Sequence, residues 1–256
     1  MTRVAWSALL LLLVSPAPAQ TLKVLTAGAF KEVVLGVVPA FEAQSGLEVE
    51  VANDTAGALI RSIEAGQGFD LVVVTREGIE RLATGGRVEP GTRRDLATVG
   101  IGVAVRQGAP APPLATVEQF KEALRAARRI AYIDPASGGS SGIYLDGLFK
   151  RLGMAEIVRP KAVLVPGGAA AERLVSGEAD LAIHQISEIL PVKGVTLAGV
   201  LPAEIQHYTT YAGGISPQTA APDAARALLA ALASVQAADL MRARGMLPAP
   251  APTEAR

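Results

Sequence analysis

The chain has 256 residues, of which 24 are Lys or Arg and 24 are Asp or Glu, so its formal net charge is zero. This balance argues against nucleic acid as a partner, because proteins that hold a phosphate backbone carry an excess of basic residues. With no cysteine and only two histidines, the chain has no disulfide framework, no thiolate metal site and no cysteine nucleophile, and we expect neither a metal nor a cofactor.

The N-terminus has the pattern of a secretory signal peptide. Arg3 precedes an apolar run from Val4 to Val14, and the small residues 17–19 follow. The run is too short to cross a bilayer, and the small residues stand where a signal peptidase cleaves. We predict cleavage after Ala19 and a periplasmic location, with a membrane anchor as the alternative.

The next part of the chain alternates between strand-like and helix-like patterns. In order these are LKVLTAG, FKEVVLGVVPAFEAQSG, LEVEVAN, GALIRSIEAG and FDLVVVT. The near-continuous apolar character of the last run indicates a strand buried on both faces. The repeated strand–helix–strand order predicts an α/β fold whose sheet is mostly parallel and flanked by helices.

A second lobe is predicted after the strand-like run TVGIGVAV and a proline-rich break at 110–113. It contains VEQFKEALRAA, RIAYIDP, KAVLVPG and DLAIHQ, after which EIQHYTTYAGGIS returns the chain to the first lobe. We predict the signal peptide at 1–19, lobe 1 at 20–100 and 206–246, lobe 2 at 101–205 and a disordered tail at 247–256. Two chain crossings imply a hinge, and the cleft between the lobes is the predicted ligand site.

The stretch DPASGGSSGIYLDGLF places glycines and serines directly before a predicted helix. A helix N-terminus has unpaired N–H groups and a positive partial charge, so small residues there let an anion approach. The alternative is ordinary capping of the helix by Ser140 or Ser141.

Three segments carry a resemblance to a known family. VLTAGAFKEVVLGVVPAFEAQSGLEVEVANDTAGALIRSIEAGQGFDLVVVT, IAYIDPASGGSSGIYLDGLFKRLG and LVSGEADLAIHQISEI occur in the order found in periplasmic molybdate-binding proteins. The chain resembles this family over nearly its whole length. The resemblance implies a two-lobe periplasmic-binding-protein type II fold, a small anionic ligand and the permease of an ABC importer as a possible partner. We expect a monomer.

Three positions at which this family has oxyanion-binding side chains carry other residue types in this chain. Ala29 and Ala56 stand where the family has serines, and Gln185 stands where it has a tyrosine. A site that loses buried donors loses affinity for an oxyanion, so molybdate and tungstate become poor candidates. Small residues at the cleft, Gly28, Ala29, Ala56 and Gly57, are expected to widen its floor, and hydroxyls are supplied by Thr26, Thr55, Ser137, Ser140 and Ser141.

Three charged or titratable residues complete the predicted site. Arg61 lies one helical turn after Gly57 and is either a bidentate clamp for a carboxylate or a structural arginine. Arg76 follows a strand and either faces the cleft or solvent. His184 ends the strand DLAIH, where it either contacts the ligand or packs at the sheet edge.

Two functional hypotheses follow. The first is a solute-binding protein that captures a di- or tricarboxylate between three helix N-termini and delivers it to an importer. The second is an exported isomerase of the aconitate type on the same scaffold, implied by some members that resemble this family. In that case His184 is the base, and Ser140, Ser141 and Arg61 hold the carboxylates. A sensor domain for a membrane kinase is a third possibility.

Overall fold

The computed structural model describes residues 21–250. The predicted signal peptide, its cleavage after Ala19 and the last six residues of the predicted tail lie outside this range. The described strands are β1 (Thr21–Ala27), β2 (Glu48–Asp54), β3 (Leu71–Thr75), β4 (Arg94–Arg106), β5 (Ile130–Ile133), β6 (Ala162–Val165), β7 (Leu181–Gln185), β8 (Val195–Val200), β9 (Tyr208–Ile215) and β10 (Met246–Pro248).

The helices follow the strands in the alternation that the sequence predicts. Short 3₁₀ turns occur at Pro135–Ser137, Arg159–Lys161 and Ala203–Ile205. The α-helices are α1 (Gly28–Ser45), α2 (Ala56–Glu64), α3 (Arg76–Thr84), α4 (Val117–Ala126), α5 (Ser140–Arg151), α6 (Ala155–Val158), α7 (Glu172–Val175), α8 (Ile186–Ile189), α9 (Pro222–Leu232) and α10 (Val235–Ala243).

The strands form a curled sheet in the order β2-β1-β3-β9-β4-β7-β5-β6, with β8 and β10 also paired to β4. β1 is parallel to β2 and β3, and β5 is parallel to β6 and β7, as βαβ units require. The pairs made by β4 and β9 are antiparallel. The sheet is therefore more mixed than the pattern suggests, because the two segments that connect the lobes enter it in the opposite direction.

Separate hydrophobic cores support the two lobes. One contains residues between 22 and 99 and between 211 and 246, together with Ile186. Two further clusters lie within residues 101–205. β4 passes from the first core to the others near Gly100, since its first half pairs with β9 and its second half with β7 and β8. The fold is thus the two-lobe periplasmic-binding-protein type II arrangement, in which the lobes meet at a cleft.

The C-terminal part of the described chain differs from its prediction. Met246–Pro248 pairs with β4, and the Ala249 N–H donates to the Leu96 carbonyl at 2.8 Å. The prediction of a disordered tail from residue 247 is therefore wrong for these first residues, whose backbone groups complete the edge of the β4 ladder.

Between residues 21 and 250 no single helix has the length and apolar character needed to cross a membrane; α9 and α10 together do, as a pair bent by 54°.

Candidate functional site

The cleft between the lobes contains a small space, here called the inner pocket, at the carboxyl ends of the strands. Seven of the predicted site residues line it: Gly28, Ala29, Thr55, Ala56, Ser140, Ser141 and His184. Eight other lining residues were not named individually as site residues, although the first four lie in strand-end loops predicted to form the site: Ala27, Asn53, Asp54, Gly139, Ile133, Gly168, Glu188 and Tyr211. Its free volume is about 30 Å³, space for one or two water molecules.

Two long helices begin at the inner pocket without a side-chain cap. The N-cap residues are Ala27 for α1, in the first lobe, and Gly139 for α5, in the second lobe. The start of α2 differs, because the Thr55 hydroxyl accepts a hydrogen bond from the Ala58 N–H at 3.2 Å. The first-turn N–H groups of α1 and α5 therefore remain available, and the positive ends of their helix dipoles favour bound carboxylates.

His184 and Glu188 form a pair in the wall of the inner pocket. His184 lies in β7, and Glu188 lies one turn further on in α8, with 3.1 Å between the imidazole Nε2 and the carboxylate Oε2. His184 is 1% exposed, and its Nδ1 has no hydrogen-bond partner. A buried imidazole held by a carboxylate at one nitrogen and unpartnered at the other is suited to accept a proton from a ligand.

A hydrogen-bonded network of neutral groups lies beside this pair. The Tyr211 hydroxyl is 3.2 Å from the Ser140 hydroxyl, and the Gln185 side-chain amide donates to the hydroxyls of Ser140 and Thr209. Burial raises the pKa of Tyr211, so its phenol stays protonated and able to donate. Tyr211 lines the pocket, while Gln185 lies behind Ser140 and positions it.

Next to the inner pocket the lobes touch directly, in a contact that we call the latch. The Gly57 N–H donates to the Gly138 carbonyl at 3.0 Å. The Thr55 hydroxyl and the Arg61 guanidinium both donate to the Ser137 carbonyl, at 2.7 and 3.0 Å. Gly57, Arg61 and Ser137 were predicted to contact the ligand, but in this closed arrangement their hydrogen-bonding groups join one lobe to the other.

The predicted widening of the cleft floor by glycines is wrong. A Cβ placed on Gly28 would lie 2.5 Å from the Glu188 Oε1, and one on Gly57 would lie 2.7 Å from the Gly138 Cα. The space that each glycine leaves is filled by the other lobe. These glycines therefore permit a close approach of the lobes.

Two further predicted residues lie outside the inner pocket. Arg76 makes a bidentate ion pair with Asp95, at 3.2 and 2.5 Å, and lines a different surface depression beside Thr210. Its predicted position in the cleft is wrong, since the nearby carboxylate on β4 holds the guanidinium. Thr26 is fully buried, with its hydroxyl 3.2 Å from the Ala27 carbonyl.

The cleft continues outward into a larger space of about 380 Å³, here called the outer cavity. Gly28, Asn53, Gly168 and Glu188 line both spaces. The outer cavity also carries Lys31 and Lys193. A ligand larger than two water molecules can therefore occupy the inner pocket only by extending into the outer cavity or by opening the lobes.

The unpredicted residues left only weak signals in the sequence. Glu188 follows His184 by four residues, a spacing that brings two side chains together across a tight strand-to-helix turn. Tyr211 comes from β9, distant in sequence, and the antiparallel pairing of β9 with β3 and β4 brings it to the pocket. Within residues 21–250 no group of three His, Cys, Asp or Glu side chains is arranged to hold a metal ion.

Comparison with known proteins gives one family match and a set of relatives. The model of the bacterial extracellular solute-binding protein family matches residues 22–247. A protein from Pseudomonas sp. named aconitate isomerase is 34% identical over 245 residues, which cover 93% of this chain and 92% of that protein.

Solved structures support the fold. The periplasmic molybdate-binding protein of Azotobacter vinelandii superposes with a TM-score of 0.74 at 21% identity, over 90% of this chain and 99% of that one. The sulfate-binding protein of Mycobacterium tuberculosis H37Rv gives a TM-score of 0.72 at 20% identity, over 90% and 87% of the two chains. At these identities the likeness concerns the two-lobe architecture alone.

Proposed function

Because the chain belongs to the bacterial extracellular solute-binding protein family, we propose that it uses this family's ligand cleft as an exported isomerase of a small unsaturated tricarboxylate such as aconitate. The observation that carries the proposal is the buried His184–Glu188 pair between two uncapped helix N-termini. A receptor needs only groups that hold its ligand, whereas an isomerase also needs a base. The likeness to the Pseudomonas aconitate isomerase supports the same conclusion.

The reaction moves one proton between two carbons. Aconitate carries a CH₂ group next to its double bond; removal of a proton from this carbon leaves an allylic carbanion, whose charge spreads onto the adjacent carboxylates. Return of a proton to the former vinylic carbon shifts the double bond and gives the other geometric isomer. No electron is gained or lost, and one base can carry the proton in both directions.

The site residues fit this sequence of events. The Glu188 carboxylate lies 3.1 Å from the His184 Nε2 and favours the tautomer with its proton there, which leaves the lone pair on the unpartnered Nδ1 to take the proton. The carboxylate then stabilises the imidazolium that forms. The N–H groups at the starts of α1 and α5, together with the Tyr211 and Ser141 hydroxyls, face the charge that develops on the substrate carboxylates.

The test is turnover of cis-aconitate by the purified chain in D₂O, followed by proton NMR. We expect trans-aconitate to appear, and the deuterium content of the carbon that receives the proton measures how far the base exchanges its proton with water between the two transfers. His184→Asn should lower the rate by about 10²–10⁴-fold. His207→Asn is the matched control, since it removes the other histidine, which stacks on Tyr144 at the hinge and lies away from the pocket; it should keep the rate within about twofold.

Two results would contradict the proposal. Binding of cis-aconitate without conversion would favour the receptor hypothesis over the isomerase. Full activity in a folded His184→Asn protein would show that the His184–Glu188 pair takes no part in the reaction. Thermal unfolding of each variant checks that it is folded.

A solute receptor is the second candidate, favoured by the latch. Closure of two lobes over a ligand is the signal that a permease reads in transport. Under this hypothesis the protein delivers a di- or tricarboxylate from the periplasm to an ABC importer. Binding measured by calorimetry, with no product by NMR, would support it over the isomerase.

A further inference from the structure

The inner pocket has no full positive charge for a trianionic ligand. Its lining includes the carboxylates of Asp54 and Glu188, and no lysine or arginine. Each helix N-terminus offers the equivalent of about half a positive charge and suits one carboxylate. The two uncapped termini therefore account for two carboxylates of a tricarboxylate and leave the third without a partner.

The outer cavity carries two lysines, one from each lobe. Lys31 lies in the first turn of α1, three residues after Gly28, and Lys193 lies in the segment after α8. Neither ammonium group makes an ion pair within the described chain. The acidic residues of the outer cavity do not pair with these lysines. Glu32 is paired with Arg244 at 3.5 Å, Glu188 is paired with His184, and Glu172 is exposed to solvent.

We propose that Lys31 and Lys193 form an outer subsite that binds the third carboxylate and so selects tricarboxylates over dicarboxylates. The inference rests on the proposed function, because it assumes that the substrate enters the inner pocket. Four residues line both spaces, so one ligand can reach the helix N-termini and the lysines together. Since the lysines belong to opposite lobes, a carboxylate between them also favours the closed arrangement.

The experiment compares three ligands by calorimetry. The tricarboxylate cis-aconitate is compared with citraconate, which lacks the carboxyl group on the CH₂ carbon, and itaconate, which lacks the one on the vinylic carbon. Lys31→Gln and Lys193→Gln should each weaken cis-aconitate binding by about tenfold, the effect of losing one charged hydrogen bond. For one of the two dicarboxylates the loss should fall below about twofold, which identifies the carboxylate that the lysines bind.

The matched control is Lys23→Gln, which removes an exposed lysine on β1 that lines neither space. It should leave all three affinities unchanged. Unchanged cis-aconitate affinity in the Lys31 and Lys193 variants, or an equal loss for all three ligands, would overturn the subsite while wild-type turnover still supports the proposed function. If the wild-type protein binds none of these ligands, both proposals fail.

Discussion

The latch and the inner pocket, two neighbouring regions of the interlobe contact, differ in how completely their polar groups are hydrogen-bonded. At the latch, the Ser137 carbonyl accepts two hydrogen bonds and the Gly138 carbonyl accepts one. At the junction of β7 and α8, beside the inner pocket, three buried side-chain atoms have no partner among residues 21–250: His184 Nδ1, Gln185 Oε1 and Ser187 Oγ. Both regions are built from strand ends and helix starts, so the difference does not come from the fold.

We therefore attribute closure of the lobes to the latch and the proposed reaction to the inner pocket. Each latch hydrogen bond contributes about 0.5–1.5 kcal/mol, so the latch favours contact between the lobes even without a ligand. Buried polar atoms without partners are rare, and they concentrate where a protein binds or transforms something. We therefore expect changes at the pocket to affect the reaction, and changes at the latch to affect affinity.

The largest effect is expected for Glu188→Gln. An amide holds the imidazole less well and cannot stabilise its charge, so kcat should fall by about 10²–10⁴-fold. Affinity for the trianion should rise, because Glu188 puts a negative charge beside Gly28 at the start of α1. Steady-state kinetics and calorimetry measure both effects.

Glu172→Gln is the control for this variant, since it removes an exposed carboxylate from the outer cavity alone. A kcat loss of equal size in both variants would show that removal of any nearby negative charge lowers kcat, and it would contradict a specific role of Glu188.

An intermediate effect is expected for Gly57→Ala at the latch. The added Cβ would meet the Gly138 Cα at 2.7 Å, and crowding of this kind typically costs 1–3 kcal/mol, so KM should rise by about tenfold or more with a smaller change in kcat. Small-angle scattering should show a more open average shape. Gly68→Ala, where a Cβ meets no atom within 4 Å, is the control. An unchanged KM in Gly57→Ala would mean that closure does not depend on the latch.

The smallest effect is expected for Arg61→Gln. Its guanidinium donates to the Ser137 carbonyl at 3.0 Å from an exposed position, where such interactions contribute about 1 kcal/mol or less. We expect KM to rise by about two- to fivefold and kcat to stay the same. Arg125→Gln, which removes an exposed arginine of α4 paired with Glu122, should change neither. A loss of kcat in Arg61→Gln would return Arg61 to the role of a substrate clamp.

The sequence alone predicted the βαβ units, but not the antiparallel pairing of β4 and β9. The apolar runs of β1, β3 and β7 and the helical spacing in α1 predicted the βαβ units. Burial of one or both faces of an element places apolar residues at regular positions along it. The glycine- and serine-rich segment before α5 correctly predicted a helix start at the cleft, since the chemistry of a helix N-terminus is local.

The tertiary structure decided which residues share the site. Nothing near Arg76 in sequence reveals that Asp95 on β4 holds its guanidinium, and nothing near Gly28 reveals that the Glu188 carboxylate fills the adjacent space. Tyr211 reaches the pocket only through strand pairing. Periodicity reports the environment of a residue within its own element. A cleft between two lobes is made by contacts between residues far apart in the chain, 82 positions for Thr55 and Ser137, and these contacts depend on how the lobes dock.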